Sequence, residues 1–164
     1  MTEGQDAPDL TLPAGQDALI QAIAAANPHT IVVLQTGGPV LMPWLDQSES
    51  VLEAWYSGAG GAEAIADVLF GIVNPSGHLP MTFPKSVGPL SGFGLPNKQP
   101  FDVPHPLDSE VGYRSAEQAA LFSFGHGLSY TRFTYSAVQL ATGGALTVSF
   151  KVRNTGAVKG KAVP

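Results

Sequence analysis

Residues 16 to 70 change hydrophobic period twice, and the order of those changes restricts the fold more than any other feature of the chain. From Gln16 to Asn27 the apolar residues Leu19, Ile20, Ile23 and Ala26 recur at helical spacing among alanines, and Pro28 disfavours helix at the residue before it. Ile31 to Thr36 is then a short β-branched run without alternation, the pattern of a strand covered on both faces in a parallel sheet. Gly37-Gly38-Pro39 ends it. Val51 to Tyr56 reads as a second strand. After the turn Ser57 to Gly61 a helix runs through Phe70, with Ala62, Ile65, Val68 and Leu69 as its buried stripe. Helix, strand, turn, strand, turn and helix predict an α/β fold, an open and mostly parallel sheet flanked by helices with right-handed crossovers.

Asn74-Pro75-Ser76-Gly77 predicts a turn. Beyond Pro84 the pattern becomes irregular, with Pro89, Pro96, Pro100, Pro104 and Pro106 in a long ordered loop or linker. After Tyr130 a different domain is expected. Leu146, Val148, Phe150 and Val152 alternate with Thr147, Ser149, Lys151 and Arg153, which predicts a strand with one wet face. Phe133 to Leu140 is a weaker strand before it, and Asn154-Thr155-Gly156 supplies a turn after it. Two strands do not close a sandwich, so the chain is expected to stop inside a β domain. The expected organisation is therefore an α/β sandwich domain portion over 1–84, an irregular Pro/Gly-rich connecting segment over 85–130, and the first strands of an incomplete immunoglobulin-like β-sandwich over 131–164.

The formal charge of −5 gives no basic footprint for nucleic acid, and no apolar run approaches a membrane span. The absence of Cys excludes a disulfide framework, thiol catalysis and cysteine-ligated metal, but leaves the compartment open. Met1 to Asp6 has neither the basic nor the apolar region of a signal peptide. No cluster of carboxylates or His has ligand spacing, so neither a metal nor another cofactor is expected.

The turn from Gly58 to Gly61 lies between a strand and a helix, where backbone N–H groups can cradle a phosphate. Its match is poor: Glu63 stands where a dinucleotide fingerprint needs Gly or Ala, and no Gly-Lys-Ser/Thr triplet follows. A tight turn is the favoured reading. Gly60, Gly61, Gly77, Gly125 and Gly127 are expected in turns, and Trp55, Phe70, Phe83 and Phe124 in packing. Glu63 and Asp67 read as surface carboxylates, and His126, between two glycines, as a turn residue.

Several of these patterns together resemble a known family. Ala59-Gly60-Gly61-Ala62-Glu63-Ala64-Ile65-Ala66-Asp67-Val68-Leu69-Phe70-Gly71, followed by Asn74-Pro75-Ser76-Gly77-His78-Leu79-Pro80-Met81-Thr82-Phe83-Pro84, is similar to the C-terminal α/β sandwich domain of glycoside hydrolase family 3 enzymes of the β-glucosidase type. Val111-Gly112-Tyr113-Arg114 and the run Phe122 to Thr131 resemble that family's passage into its fibronectin type III-like domain, and Val152 to Gly156 the opening of that domain.

Glycoside hydrolysis with retention needs two carboxyl groups about 5 Å apart, one a nucleophile and the other a general acid/base. The resemblance implies that the nucleophilic Asp lies in a separate β/α barrel domain and is absent from this chain. It also implies an acid/base Glu in a Glu-Gly-x-Asp-Arg pattern just before the first helix. Glu3-Gly4-Gln5-Asp6 occupies that place, with Ala7 where Arg is usual, which removes a fixed cation beside Asp6. Glu3 is thus the candidate general acid/base. It must be protonated near neutral pH, a state that burial against a barrel domain and a neighbouring charged nucleophile would favour.

The implied activity is removal of terminal β-D-glucosyl residues from a β-glucoside or short oligosaccharide, with a barrel domain as partner in cis or in trans, and no activity in this chain alone. Ser91 to Pro106 is a candidate wall of the sugar pocket, with Phe93 or Phe101 stacking on the ring; a loop that merely covers the domain fits equally well. Two other readings remain open: a non-catalytic carbohydrate-binding or interaction module, and a nucleotide-binding domain resting on the Gly turns alone.

Overall fold

The computed structural model describes residues 9–86 and 120–163, which fall into two compact units. One contains the described residues 9–61, 79–86 and 120–126; the other contains 62–78 and 127–163. Glu3, the stretch from Ser91 to Pro106 and Val111 to Arg114 lie outside the described residues.

In the first unit, α1 (Gln16–Ala26) leads into β1 (Ile31–Leu34), which pairs in parallel with β2 (Ser50–Glu53) in the register Ile31 with Ser50 through Leu34 with Glu53. The expected helix and both strands are therefore present. Cover on both faces of β1 is not, among the described residues. Val32 and Leu34 are buried, whereas Ile31 and Val33 are 48% and 36% exposed, because only one face of the pair is packed. The buried line of α1 is likewise Ala24 with the partly buried Ile20, one turn apart, while Leu19 and Ile23 face outward.

The core gathers Leu12, Val32, Leu34, Val40, Met42, Trp44 and Phe83, with Ile20, Leu45, Val51, Trp55, Leu121 and Phe122 against it. Trp44 is fully buried, and its indole N–H donates to Asp17 Oδ1 at 2.7 Å. Asp17 lies in the first turn of α1, where a carboxylate is favoured by the helix dipole. Trp55 packs on Phe83 with ring centroids 6.0 Å apart.

β3 (Phe83–Pro84) pairs antiparallel with β4 (Ala120–Phe122), so part of the segment expected to be irregular is a strand. At three residues it is too short to show a period. Leu79 and Gly125–His126 continue the pairing through Leu79 N to His126 O and Gly125 N to Leu79 O, both 2.8 Å. Gly125 has φ +81 at the third position of the turn closed by His126 N on Ser123 O, a conformation that disfavours a side chain. Phe124 beside it is half exposed.

In the second unit, α2 (Gly61–Leu69) has Ile65 and Val68 partly buried, but Ala62 and Leu69 are exposed and Phe70 is 82% exposed. The expected four-residue stripe is thus reduced to two residues, and Phe70 does not pack, since helical order ends at Leu69 and the chain turns at Gly71 with φ +73.

Asn74 ties the turn after α2 to the strand lead at Tyr130. It is buried; its Oδ1 accepts from Tyr130 N at 2.7 Å and Ser129 Oγ at 3.1 Å, while its Nδ2 donates to Pro75 O and Ser76 Oγ. Replacing it with Ala leaves the Tyr130 amide without an acceptor, a penalty of about 1–3 kcal/mol. Chemical denaturation of the variant is expected to show that loss at unchanged slope.

β5 (Phe133–Thr142) and β6 (Leu146–Asn154) form an antiparallel hairpin joined by residues 143–145, with Gly144 at φ +83. One extra residue stands in β5 between the Ser136–Lys151 and Gln139–Ser149 pairs, where Ala137 has φ +52: a β-bulge. The bulge brings Leu140 opposite Val148, as Tyr135 is opposite Val152, and Tyr135 lies against Phe150 at 6.0 Å. Every residue of β6 is exposed, including the alternating Leu146, Val148, Phe150 and Val152.

Candidate functional site

Among the expected site residues, Glu3 lies outside the described region, which begins at Asp9. Asp9 Oδ1 accepts from the Thr11 amide at 2.9 Å and from the Thr11 hydroxyl at 2.6 Å, hydrogen bonds that hold its carboxyl below the ordinary range. Leu10 O accepts from Leu41 N at 2.8 Å, and Leu12 is in the core. The lead from Asp9 into α1 is therefore tied to the first unit. A shallow concavity of about 180 Å³ lies beside this lead, lined by Thr11, Asp17, Leu41, Met42, Pro43, Lys85 and Leu121. It is smaller than ordinary ligand pockets.

The carboxyl ends of β1 and β2 carry more chemistry. In open parallel sheets this is the end at which ligands bind, because the loops there diverge and leave a crevice. Glu53, the last residue of β2, is half-buried. Its Oε1 accepts from Trp55 N at 2.9 Å and Thr36 N at 3.3 Å, and its Oε2 lies 3.1 Å from Thr36 Oγ1. One side chain thus joins the loop after β1 to the loop after β2.

Burial pushes the Glu53 carboxyl above its usual range, against the hydrogen bonds from Trp55 and Thr36. The Thr36 hydroxyl, 2.7 Å from Gly38 O and 3.1 Å from Oε2, opposes that rise while it joins the two loops.

A folded-state pKa above the unfolded value means that the folded chain holds this proton more tightly. The contribution is fully present below the ordinary value of 4.5 and lost as pH rises through the raised folded value. Asp9 has the opposite sign, its contribution being lost as pH falls through its lowered value. Glu53→Gln mimics the protonated form and is expected to flatten the loss of stability above pH 4.5. The measurement is the difference between wild-type and variant denaturation midpoints across pH 4 to 8, roughly the span of carboxylate titration on burial.

Trp55 follows with φ +48, a left-handed conformation uncommon for a bulky residue. The strand expected through Tyr56 therefore stops at Glu53. Gln35 Nε2 donates to Ser57 Oγ at 3.0 Å, and Tyr56 crosses Gly37 so closely that a Cβ there would fall on its hydroxyl. Gly61 N donates to Gly58 O at 3.2 Å, so this amide of the Gly turn closes the turn itself. Glu63 is exposed, Asp67 half-buried, and the His126 ring lies 4.9 Å from that of Phe122. The described residues hold no group of three His, Asp or Glu that could bind a metal ion, and no helix among them is long and apolar enough to cross a membrane.

Sequence reasoning missed Glu53 and its neighbours. The available signal was a carboxylate at the end of an apolar β run.

A unit that joins a helix to a parallel strand pair defines a domain of the α/β class. The glycosyl hydrolase family 3 C-terminal domain matches residues 1–130, and the chain belongs to that family. A β-glucosidase of Rhizobium radiobacter is 47% identical over 166 residues, covering 94% of this chain and 20% of that protein. DesR, a β-glucosidase from Streptomyces venezuelae solved in complex with D-glucose, superposes with TM-score 0.80 at 48% identity, over 94% of this chain and 21% of that one. The β-glucosidase from Kluyveromyces marxianus in complex with glucose gives 0.82 at 37%, over 95% and 19%. The chain spans about a fifth of the length of the relatives it matches.

Proposed function

We propose that this chain is the C-terminal part of a retaining β-glycosidase, acting on terminal non-reducing β-D-glucosyl residues. The observation that carries the reading is the family match over residues 1–130 together with relatives that are β-glucosidases, two of them solved with glucose. The substrate is a β-glucoside or short oligosaccharide, and a β/α barrel domain, in cis or in trans, brings the nucleophilic Asp. Glu3 is the general acid/base.

In the first step the barrel carboxylate attacks the anomeric carbon while Glu3 gives its proton to the departing glycosidic oxygen. In the second, Glu3 as carboxylate takes a proton from water, whose oxygen displaces the enzyme carboxylate and restores the β configuration. Docking against the barrel desolvates Glu3 and places it beside the nucleophile, and both effects favour the protonated acid that the first step requires. Leu10 and Leu12 anchor the described chain from Asp9 onward to the core.

The proposed organisation keeps an α/β sandwich portion over 1–84, a connecting segment over 85–130 and the first strands of a fibronectin type III-like, immunoglobulin-like sandwich over 131–164. The parallel β1–β2 pair and the β5–β6 hairpin with its uncovered apolar face support this division.

The test is a hybrid in which this chain replaces the matching segment of the Rhizobium radiobacter β-glucosidase. Hydrolysis of an aryl β-D-glucoside is expected. A hybrid that is folded by circular dichroism and monodisperse on gel filtration, yet releases no phenol, contradicts the proposal.

A further inference from the structure

The rim at the carboxyl ends of β1 and β2 combines features that packing alone leaves unexplained. Tyr56 is 77% exposed although its hydroxyl end crosses the backbone at Gly37. The residue before it, Trp55, is in a left-handed conformation that side chains of its size rarely adopt. Strained residues of this kind concentrate at ligand clamps, where neighbouring structure holds them in place. Here the holding group is visible: the half-buried Glu53 carboxyl accepts the Trp55 and Thr36 amides, fixing both loops. Beside Tyr56, Gln35 Nε2 donates to Ser57 Oγ at 3.0 Å, a bond that uses one Gln35 donor and one Ser57 lone pair.

We infer that Tyr56 is a sugar-contacting residue of this domain, its ring receiving the C–H face of a pyranose whose hydroxyls reach Gln35 and Ser57, with Glu53 and Trp55 as positioning residues. This rests on the proposed glycosidase reading for the chemistry of the ligand. An aromatic ring flanked by a few placed polar groups is the composition of small-molecule sites. A β-D-glucopyranose suits it because its equatorial hydroxyls leave the ring C–H groups uncovered on both faces.

The test is D-glucose titrated into the full chain and followed by ¹⁵N–¹H NMR, with mannitol, an open-chain polyol lacking a ring face, as the control. Expected are saturable shifts of the Gly37 and Tyr56 amides and the Gln35 side-chain amide with glucose, and at least tenfold weaker shifts with mannitol. Tyr56→Ala is expected to abolish them while the Thr36 and Trp55 amides keep their positions, which shows the loops intact. Glu53→Ala is expected to weaken binding at least fivefold with Tyr56 still present, and Glu53→Gln to restore it, because Gln keeps the acceptor for both amides.

Rim resonances unmoved by glucose, equal shifts with mannitol, or unchanged binding in Tyr56→Ala would each overturn the inference. The readout needs no turnover, so it separates from the hybrid assay. An active hybrid with a silent rim removes the subsite alone, and a responsive rim in an inactive hybrid leaves the subsite and removes the enzyme reading.

Discussion

Trp44→Ala is expected to destabilise the chain by about 3–5 kcal/mol, the range for truncating a large buried aromatic. Trp44 is the largest fully buried side chain and sits among Leu12, Leu34, Val40 and Met42 in the core. Its loss opens a cavity that neighbours on three different segments fill only in part. It also frees Asp17, whose Oδ1 accepts the indole proton at 2.7 Å. Trp44→Phe separates the two contributions: most of the volume stays, the hydrogen bond goes, and a smaller loss of about 1–2 kcal/mol is expected. Urea denaturation of the three proteins checks this, with the midpoint falling in the order wild type, Phe variant, Ala variant.

The largest expected effect on function belongs to Glu3. In the hybrid enzyme, Glu3→Ala is expected to lower turnover of a natural glucoside by roughly 10²–10⁴-fold, the usual contribution of a positioned general acid or base. A substrate whose leaving group needs no proton, such as a dinitrophenyl β-glucoside, loses its dependence on Glu3 in the first step, so the defect moves to the second. Steady-state kinetics with leaving groups of graded acidity checks this. A variant defect that is the same for every leaving group would assign Glu3 a structural role.

The sequence made the α/β order legible because long apolar periods survive in single segments. The Gln16 helix, the Ile31 strand and the start of β2 all appear where the pattern placed them. Burial was read less well. Continuous Ile31-Val32-Val33-Leu34 implies cover on two faces, but β1 is covered on one among the described residues, and the outward Ile31 and Val33 carry no mark in the sequence that distinguishes them from Val32. The end of β2 was overrun because Trp55 and Tyr56 have high β propensity, whereas the Glu53 carboxyl captures the Trp55 amide and turns the chain. Phe133 to Leu140 looked like a weak strand for a related reason: the bulge at Ala137 resets the alternation, so Phe133 and Tyr135 fall out of phase with Val138 and Leu140.

The site divides the same way. The proposal of Glu3 rests on resemblance alone, since a single carboxylate has no pattern of its own. Glu53 was illegible because its role comes from a partner, Thr36, that reaches it across two paired strands.

The central claim is that this chain brings the acid/base carboxyl, and not the nucleophile, to a retaining glycosidase. Azide tests it directly in the Glu3→Ala hybrid, because azide attacks the glycosyl-enzyme without needing a base to remove a proton. With an activated aryl β-D-glucoside, the expected result is faster turnover in azide and accumulation of β-glucosyl azide, followed by ¹H NMR at the anomeric proton. Full activity of the variant without azide, or slow turnover that azide leaves unchanged with no glucosyl azide formed, would contradict it.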